Sequence, residues 1–317
     1  MAALLMVACQ KEELHEGPCK VRFIASVQDE VSVTRAETEY TNITKDNAPD
    51  FKAALYVSYG TTAPEYTMSW SDSKLSANLW LEAWTGPYWF YGYAPKNNNV
   101  TANFDNENKT LTLPSIPALT TTDWLVIKPC STTITKENIT SGKKMVSLQM
   151  DHLMAKITPC FYLDETYAKL RDIKIKTVAF FFESAHTYMA TVTYNNNNVN
   201  KADDYKVAWT TPNSTAAAKT VTAFSNTDNT NLTNEAVAHG CCYIVPAQSA
   251  STLKMKVTYD VYDKSGTLTR EDATATNQIK KLPTTLVAGT NYQLKIQVVP
   301  EYLYVLSDND QESLVIP

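Results

Sequence analysis

Leu253-Lys-Met-Lys-Val-Thr-Tyr-Asp-Val-Tyr262 alternates polar and largely apolar side chains and runs into Asp263-Lys-Ser-Gly266. Alternation at period two marks a strand with one buried face, and Asp, Ser and Gly at its end are hairpin-turn residues. Tyr292-Gln-Leu-Lys-Ile-Gln-Val298 and Tyr188-Met-Ala-Thr-Val-Thr-Tyr194 alternate equally well. Towards the N-terminus the same grammar recurs in Val21-Arg-Phe-Ile-Ala-Ser-Val27, Ala53-Ala-Leu-Tyr-Val-Ser-Tyr59, Tyr88-Trp-Phe-Tyr-Gly-Tyr-Ala94 and Trp124-Leu-Val-Ile127. Short strands at this spacing, with no strand–helix alternation, predict an all-β chain built of β-sandwiches. The polar, helix-tolerant stretch Glu165–Arg171 is the expected linker between two of them. Residues 210–235, almost wholly Thr, Asn, Ser, Ala and Asp, are expected to form a long exposed loop. Pro159 is expected to end its strand early, because proline cannot donate to a ladder.

Composition narrows the function. Charged residues make up 19% of the 317 residues and the net charge is −5, so a nucleic-acid partner has no electrostatic support. The 8 glycines leave little room for phosphate-cradling loops. His15, His152, His186 and His239 form no metal-binding spacing, and the 6 cysteines form no CxxC pair. No nucleophile motif occurs, and the acidic pairs lie in polar stretches. The expectation is a protein that is not an enzyme and holds neither cofactor nor metal.

The first sixteen residues carry a different signal. An apolar run from Met1 to Ala8 stops at Cys9, and Gln10-Lys-Glu-Glu-Leu-His-Glu16 follows. The run is too short to span a membrane but fits the core of a secretory signal, with a cysteine placed for lipid modification. Cys9 is therefore the expected acylation site, and residues 1–16 the lipoprotein signal with its acidic sequel. The alternative is a plain apolar terminus with an ordinary thiol. Trp84, Tyr88 and Trp89 belong to a dense aromatic cluster that invites a carbohydrate-binding reading. The plainer reading is that alternate members fill a core while the others cover a sheet face.

Four segments resemble the fimbrillin family, the pilins of type V pili. Gly86-Pro-Tyr-Trp-Phe-Tyr-Gly-Tyr-Ala-Pro95 is similar to its aromatic strand ending in Tyr-Ala-Pro. Met150-Asp-His-Leu-Met-Ala-Lys-Ile157 is similar to its His-x-x-Ala-Lys strand, and Tyr243-Ile-Val-Pro-Ala-Gln248 to its Pro-x-Gln segment. Ala288-Gly-Thr-Asn-Tyr-Gln-Leu-Lys-Ile296 resembles its final Gly-x-x-Tyr strand.

The resemblance implies two transthyretin-like Greek-key β-sandwich domains in tandem, at 17–168 and 169–317. It implies export as an outer-membrane lipoprotein through acylated Cys9. A trypsin-like protease would then cut after Arg35, leaving Ala36 as the new N-terminus and releasing residues 17–35. The released strand would carry Val21, Phe23, Ile24 and Val27, and its groove would take a strand from a neighbouring subunit. The donor expected is the tail at 302–317, through Tyr302, Tyr304, Leu306, Leu314 and Ile316, although an ordinary last strand with a loose end fits the same residues. The implied partners are other pilin subunits, outer-membrane lipid, the Arg protease and a host protein or glycan. The implied location is the cell surface, first as a lipoprotein and then in a fimbria. A surface-anchored glycan-binding protein or tip adhesin is the alternative.

Overall fold

The computed structural model describes residues 18–32, 39–83, 86–96, 100–195, 204–211, 215–225 and 230–298. The described chain is all-β, as the alternating segments predict. Its strands begin with β1 (Cys19–Gln28), β2 (Val31–Ser32), β3 (Tyr40–Asn42), β4 (Lys52–Ser58), β5 (Glu65–Ser71) and β6 (Lys74–Leu81). Next come β7 (Tyr88–Ala94), β8 (Asn103–Asp105), β9 (Thr110–Pro117), β10 (Leu119–Thr120) and β11 (Leu125–Thr132). Helix α1 (Lys136–Ser141) precedes β12 (Lys143–His152) and β13 (Ala155–Leu163), and helix α2 (Glu165–Leu170) precedes β14 (Arg171–Ala185). The chain continues through β15 (Thr187–Tyr194), β16 (Tyr205–Thr210), β17 (Ala217–Ser225), β18 (Val237–Ala238) and β19 (Cys242–Ile244). The last described strands are β20 (Lys254–Asp263), β21 (Leu268–Gln278) and β22 (Thr290–Val298).

The first sheet runs in the order β12-β11-β7-β4-β5-β6-β1-β3, and β12 also pairs with β1. That extra pairing closes the sheet into a ring, with β3 as an appendage. Closure removes the strand edges that an open sheet exposes. Inward side chains fill the ring: Val21, Phe23, Leu55, Val57, Met68, Leu79, Phe90, Ile127, Leu148 and Met150 are all buried in one cluster. The walls approach closely at Gly92, where a Cβ would lie 2.0 Å from the Ala54 carbonyl oxygen, so only glycine fits the wild-type backbone there.

Three more sheets follow the orders β10-β19-β13-β22-β2, β17-β14-β20-β21 and β16-β15-β9-β8. A second apolar cluster joins the outer face of the ring (Tyr56, Tyr91, Tyr93, Trp124) to these sheets through Leu113, Phe161, Phe180, Val192 and Tyr259. Pairing does not divide the chain at 168/169. Strand β9 pairs with β15, and β13 pairs with both β19 and β22. Residues 165–170 of the expected linker form α2, capped by the Asp164 carboxylate on the Thr166 amide.

Two local expectations are corrected. Strand β13 runs straight through Pro159. The carbonyl of that residue accepts from the His239 amide at 2.9 Å, on the side where pairing passes from β19 to β18. The missing N–H thus falls at a break in the ladder. Part of the expected loop at 210–235 is β17, paired antiparallel with β14. It is a half-exposed edge strand, so few apolar residues are needed to hold it.

Candidate functional site

Strand β1 lies between two partners. On one side it runs parallel to β12, from Lys20↔Lys143 to Val27↔Met150. On the other it runs antiparallel to β6 over Cys19–Phe23 and then to β3 over Ser26–Gln28. Parallel neighbours need a long connection, and here that connection is most of the ring itself. Cys19, Val21, Phe23 and Ala25 point inward and are buried, and Phe23 meets Phe90 edge-on at 6.0 Å. Val27 packs on the rim of the same cluster. Ile24 does not belong with them: the pleat turns it outward, where it is exposed. Its apolar character is therefore not explained by the ring.

A polar clasp fixes the far end of β1. His152 Nε2 lies 2.8 Å from the Gln28 carbonyl oxygen, and Nδ1 lies 2.8 Å from Asp123 Oδ2. Both neighbours are acceptors, so only a doubly protonated ring donates to both. Burial opposes the charge on His152, but the hydrogen bond and charge of Asp123, with the Gln28 carbonyl and Glu30, outweigh it and hold the imidazole pKa above its ordinary value. Next to it Lys156 Nζ meets Glu30 Oε1 at 2.8 Å. The chain then passes into β2, which pairs parallel with β22 through Val31↔Thr290 and Ser32↔Asn291. Residues 19–32 thus bind both the ring and the sheet of β22.

Beyond Asn291, the side of β22 away from β13 carries no strand among the described residues. A groove of about 700 Å³ lies along that end, lined by Met255, Ile279, Leu282, Leu294 and Ile296 among others.

The remaining candidates are placed as follows. Tyr88 is buried, with its hydroxyl donating to the Glu82 carbonyl at 3.0 Å, while Trp89 stacks beside Tyr91 towards the second cluster. The two therefore do not share a binding surface, as strand alternation requires. Cys9, Arg35, Ala36, Trp84 and the tail residues Tyr302, Tyr304, Leu306, Leu314 and Ile316 lie outside the described residues. Among the described residues no group of His, Cys, Asp and Glu has the geometry of a metal site, and Cys19, Cys130, Cys160, Cys241 and Cys242 are unpaired thiols. The clasp residues Asp123 and Glu30 were not legible as partners of His152 and Lys156. Only the His-x-x-Ala-Lys spacing marked that segment.

No family model matches the chain, and neither does any curated protein. Solved structures do match it. A candidate cell adhesion protein from Bacteroides uniformis is 16% identical with a TM-score of 0.44, covering 87% of this chain and 92% of the other. A second from Bacteroides fragilis is 11% identical with a TM-score of 0.46, covering 88% and 92%. A fimbrial protein from Bacteroides vulgatus is 14% identical with a TM-score of 0.42, covering 89% and 95%. At such identities no residue's role passes from them to this chain.

Proposed function

We propose that this protein is a structural subunit of a cell-surface fimbria, exported as a lipoprotein, processed after Arg35 and polymerised by exchange of a β-strand. One observation carries the reading. Strand β1 contributes one wall and part of the core of a closed ring, and Arg35 follows it by seven residues. Removing residues 17–35 from such a ring leaves two unpaired strand edges, on β6 and β12, above the space vacated by Val21 and Phe23. Burying each of those side chains contributes roughly 1.5–3 kcal/mol, and the open edges favour pairing with another strand.

A donor has to offer side chains on one face at period two, as Val21, Phe23 and Ala25 do. Tyr302, Tyr304 and Leu306 have that spacing, and Leu314 and Ile316 repeat it after a polar break. In this reading Cys9 is a temporary lipid anchor at the outer membrane, lost when the leading segment is cut away.

The test is to expose the purified full chain to a trypsin-like protease and follow the N-terminus by mass spectrometry and the oligomers by gel. Expected are a species beginning at Ala36 and a ladder of multimers, with Arg35→Ala remaining an intact monomer. Multimers formed equally well by Arg35→Ala would sink the processing step.

A further inference from the structure

The outward face of β1 has no role in filling the ring, yet its composition is unusual. Lys20, Arg22 and Ile24 point out of the ring, opposite the buried Cys19, Val21, Phe23 and Ala25. Their register partners continue the pattern: Lys20 faces Lys143 on β12 and Trp80 on β6, and Arg22 faces Met145. Ile24, Trp80 and Met145 are 48%, 47% and 52% exposed, three of the few large apolar side chains left in solvent among the described residues. Lys20 Nζ sits 5.8 Å from the Trp80 ring centroid.

The charges on this face are also unmatched. Some lysines elsewhere are paired, as in Lys156 with Glu30, Lys128 with Asp204, Lys176 with Asp272, and Lys264 with Asp172, while others stand singly on the surface; here the unpaired cations lie together on one face. No ion pair holds Lys20, Arg22, Lys74 or Lys143 among the described residues. In a chain of net charge −5 this is a local basic field around exposed aliphatic and indole groups.

We infer that this face docks on an anionic lipid surface. Bases that neutralise headgroups around an apolar centre are the composition of an interfacial membrane contact, and Trp belongs at that depth. Exposed aliphatic groups such as Ile24 and Met145 offer nothing to the hydroxyls of an acidic polysaccharide, which is why lipid is favoured over glycan. The position in the chain agrees: Cys9 precedes β1 by ten residues, a reach of at most about 35 Å when extended. That last argument rests on the acylation reading above, whereas the composition of the face does not. Since β1 supplies Lys20, Arg22 and Ile24, cutting after Arg35 dismantles the face together with the anchor.

The test uses the full chain with Cys9→Ser, so that no acyl chain contributes, in flotation with vesicles of phosphatidylcholine alone or with added phosphatidylglycerol. Expected is binding only to the anionic vesicles, weakened by rising salt. Lys20→Glu with Arg22→Glu and Lys143→Glu should weaken it by at least about tenfold. Lys280→Glu with Lys281→Glu, on the far part of the chain, should leave it unchanged. Circular dichroism melts of each variant report folding, and Trp80→Ser provides a milder second probe with a smaller loss. Equal binding to neutral vesicles, an unchanged triple variant that is folded, or binding to heparin in place of vesicles overturns the inference. None of these outcomes bears on whether Arg35 is cut.

Discussion

The first and last described strands look alike in sequence and differ in what surrounds them. Strands β1 and β22 both alternate, and each pairs in parallel with a strand distant in sequence, β12 and β13 respectively. Strand β1 has a second partner along most of its length, and its inward side chains are core. Among the described residues strand β22 has only the two residues of β2 on its other side, and its Leu294 and Ile296 line an open groove. Period-two alternation therefore reports one buried face and says nothing of the edges. The edges decide whether a strand is a keystone or a rim. Loss of a keystone leaves a slot with two ready partners, whereas loss of a rim shortens a sheet.

The largest effect that would break this contrast is truncation within the ring. Phe23→Ala should cost about 3–5 kcal/mol in denaturant unfolding, because the site is closed on every side and cannot collapse. Leu294→Ala on β22 should cost about 1 kcal/mol, since that side chain is already partly solvated. Equal losses would mean that the ring does not depend on β1.

A similar pair probes the backbone. Gly92→Ala drives a Cβ towards the Ala54 carbonyl between two ring strands, and should lower stability by about 2–3 kcal/mol, read from the unfolding midpoint. Gly289, just before β22, has φ +71° and a Cβ there would meet only the flexible Gln28 side chain at 3.3 Å. Gly289→Ala should cost about 1–2 kcal/mol, from the left-handed backbone alone. A larger effect at Gly289 than at Gly92 would reverse the ranking of rim and ring.

How much of this was legible follows from the range of each interaction. The alternation of 253–262, its turn at 263–266 and the strand around 21–27 are local, and the structure contains them as β20, the β20–β21 turn and β1. Strands β17 and β21 were not legible, because Ala217-Ala-Lys-Thr-Val-Thr-Ala-Phe-Ser225 and Leu268-Thr-Arg-Glu-Asp-Ala-Thr-Ala-Thr-Asn-Gln278 are edge strands that need little apolar surface. Ring closure depends on the register between β1 and β12, more than a hundred residues apart, which no local pattern encodes. The outward face of Ile24 could have been read from its neighbours: Val21 and Phe23 share one face, so an adjacent Ile24 falls on the other. The clasp was half legible, since His152 and Lys156 sit in a recognisable segment while Asp123 and Glu30 do not.

The clasp gives a smaller, pH-dependent effect. The folded pKa of His152 is raised above the ordinary 6.5. Its contribution is then present in full below pH 6.5 and is lost as pH rises through the higher folded value. Asp123, Glu30 and the neighbouring Lys156 are the charged groups facing it. Hydrogen exchange at the amides of 27–30 should quicken as the pH rises through that window, beyond the intrinsic base-catalysed increase. His152→Gln should remove the excess. The amides of Gln293–Gln297 on β22 lie outside the clasp and serve as the internal reference. An excess of equal size there would detach the effect from the clasp.

The smallest effect concerns Lys156 and Glu30, whose side chains are partly exposed. A double-mutant cycle with Lys156→Ala and Glu30→Gln should give a coupling of about 0.2–1 kcal/mol that shrinks in high salt. A weak coupling is what the contrast between the strands requires: the ring holds β1 by burial and ladder bonds, and the clasp only sets where the chain leaves for β2. A coupling above about 2 kcal/mol would shift the hold on the leading segment from the ring to the junction. The ease of removing that segment would then be governed at residues 28–32, where one pair of charges is far simpler to disrupt than a buried strand.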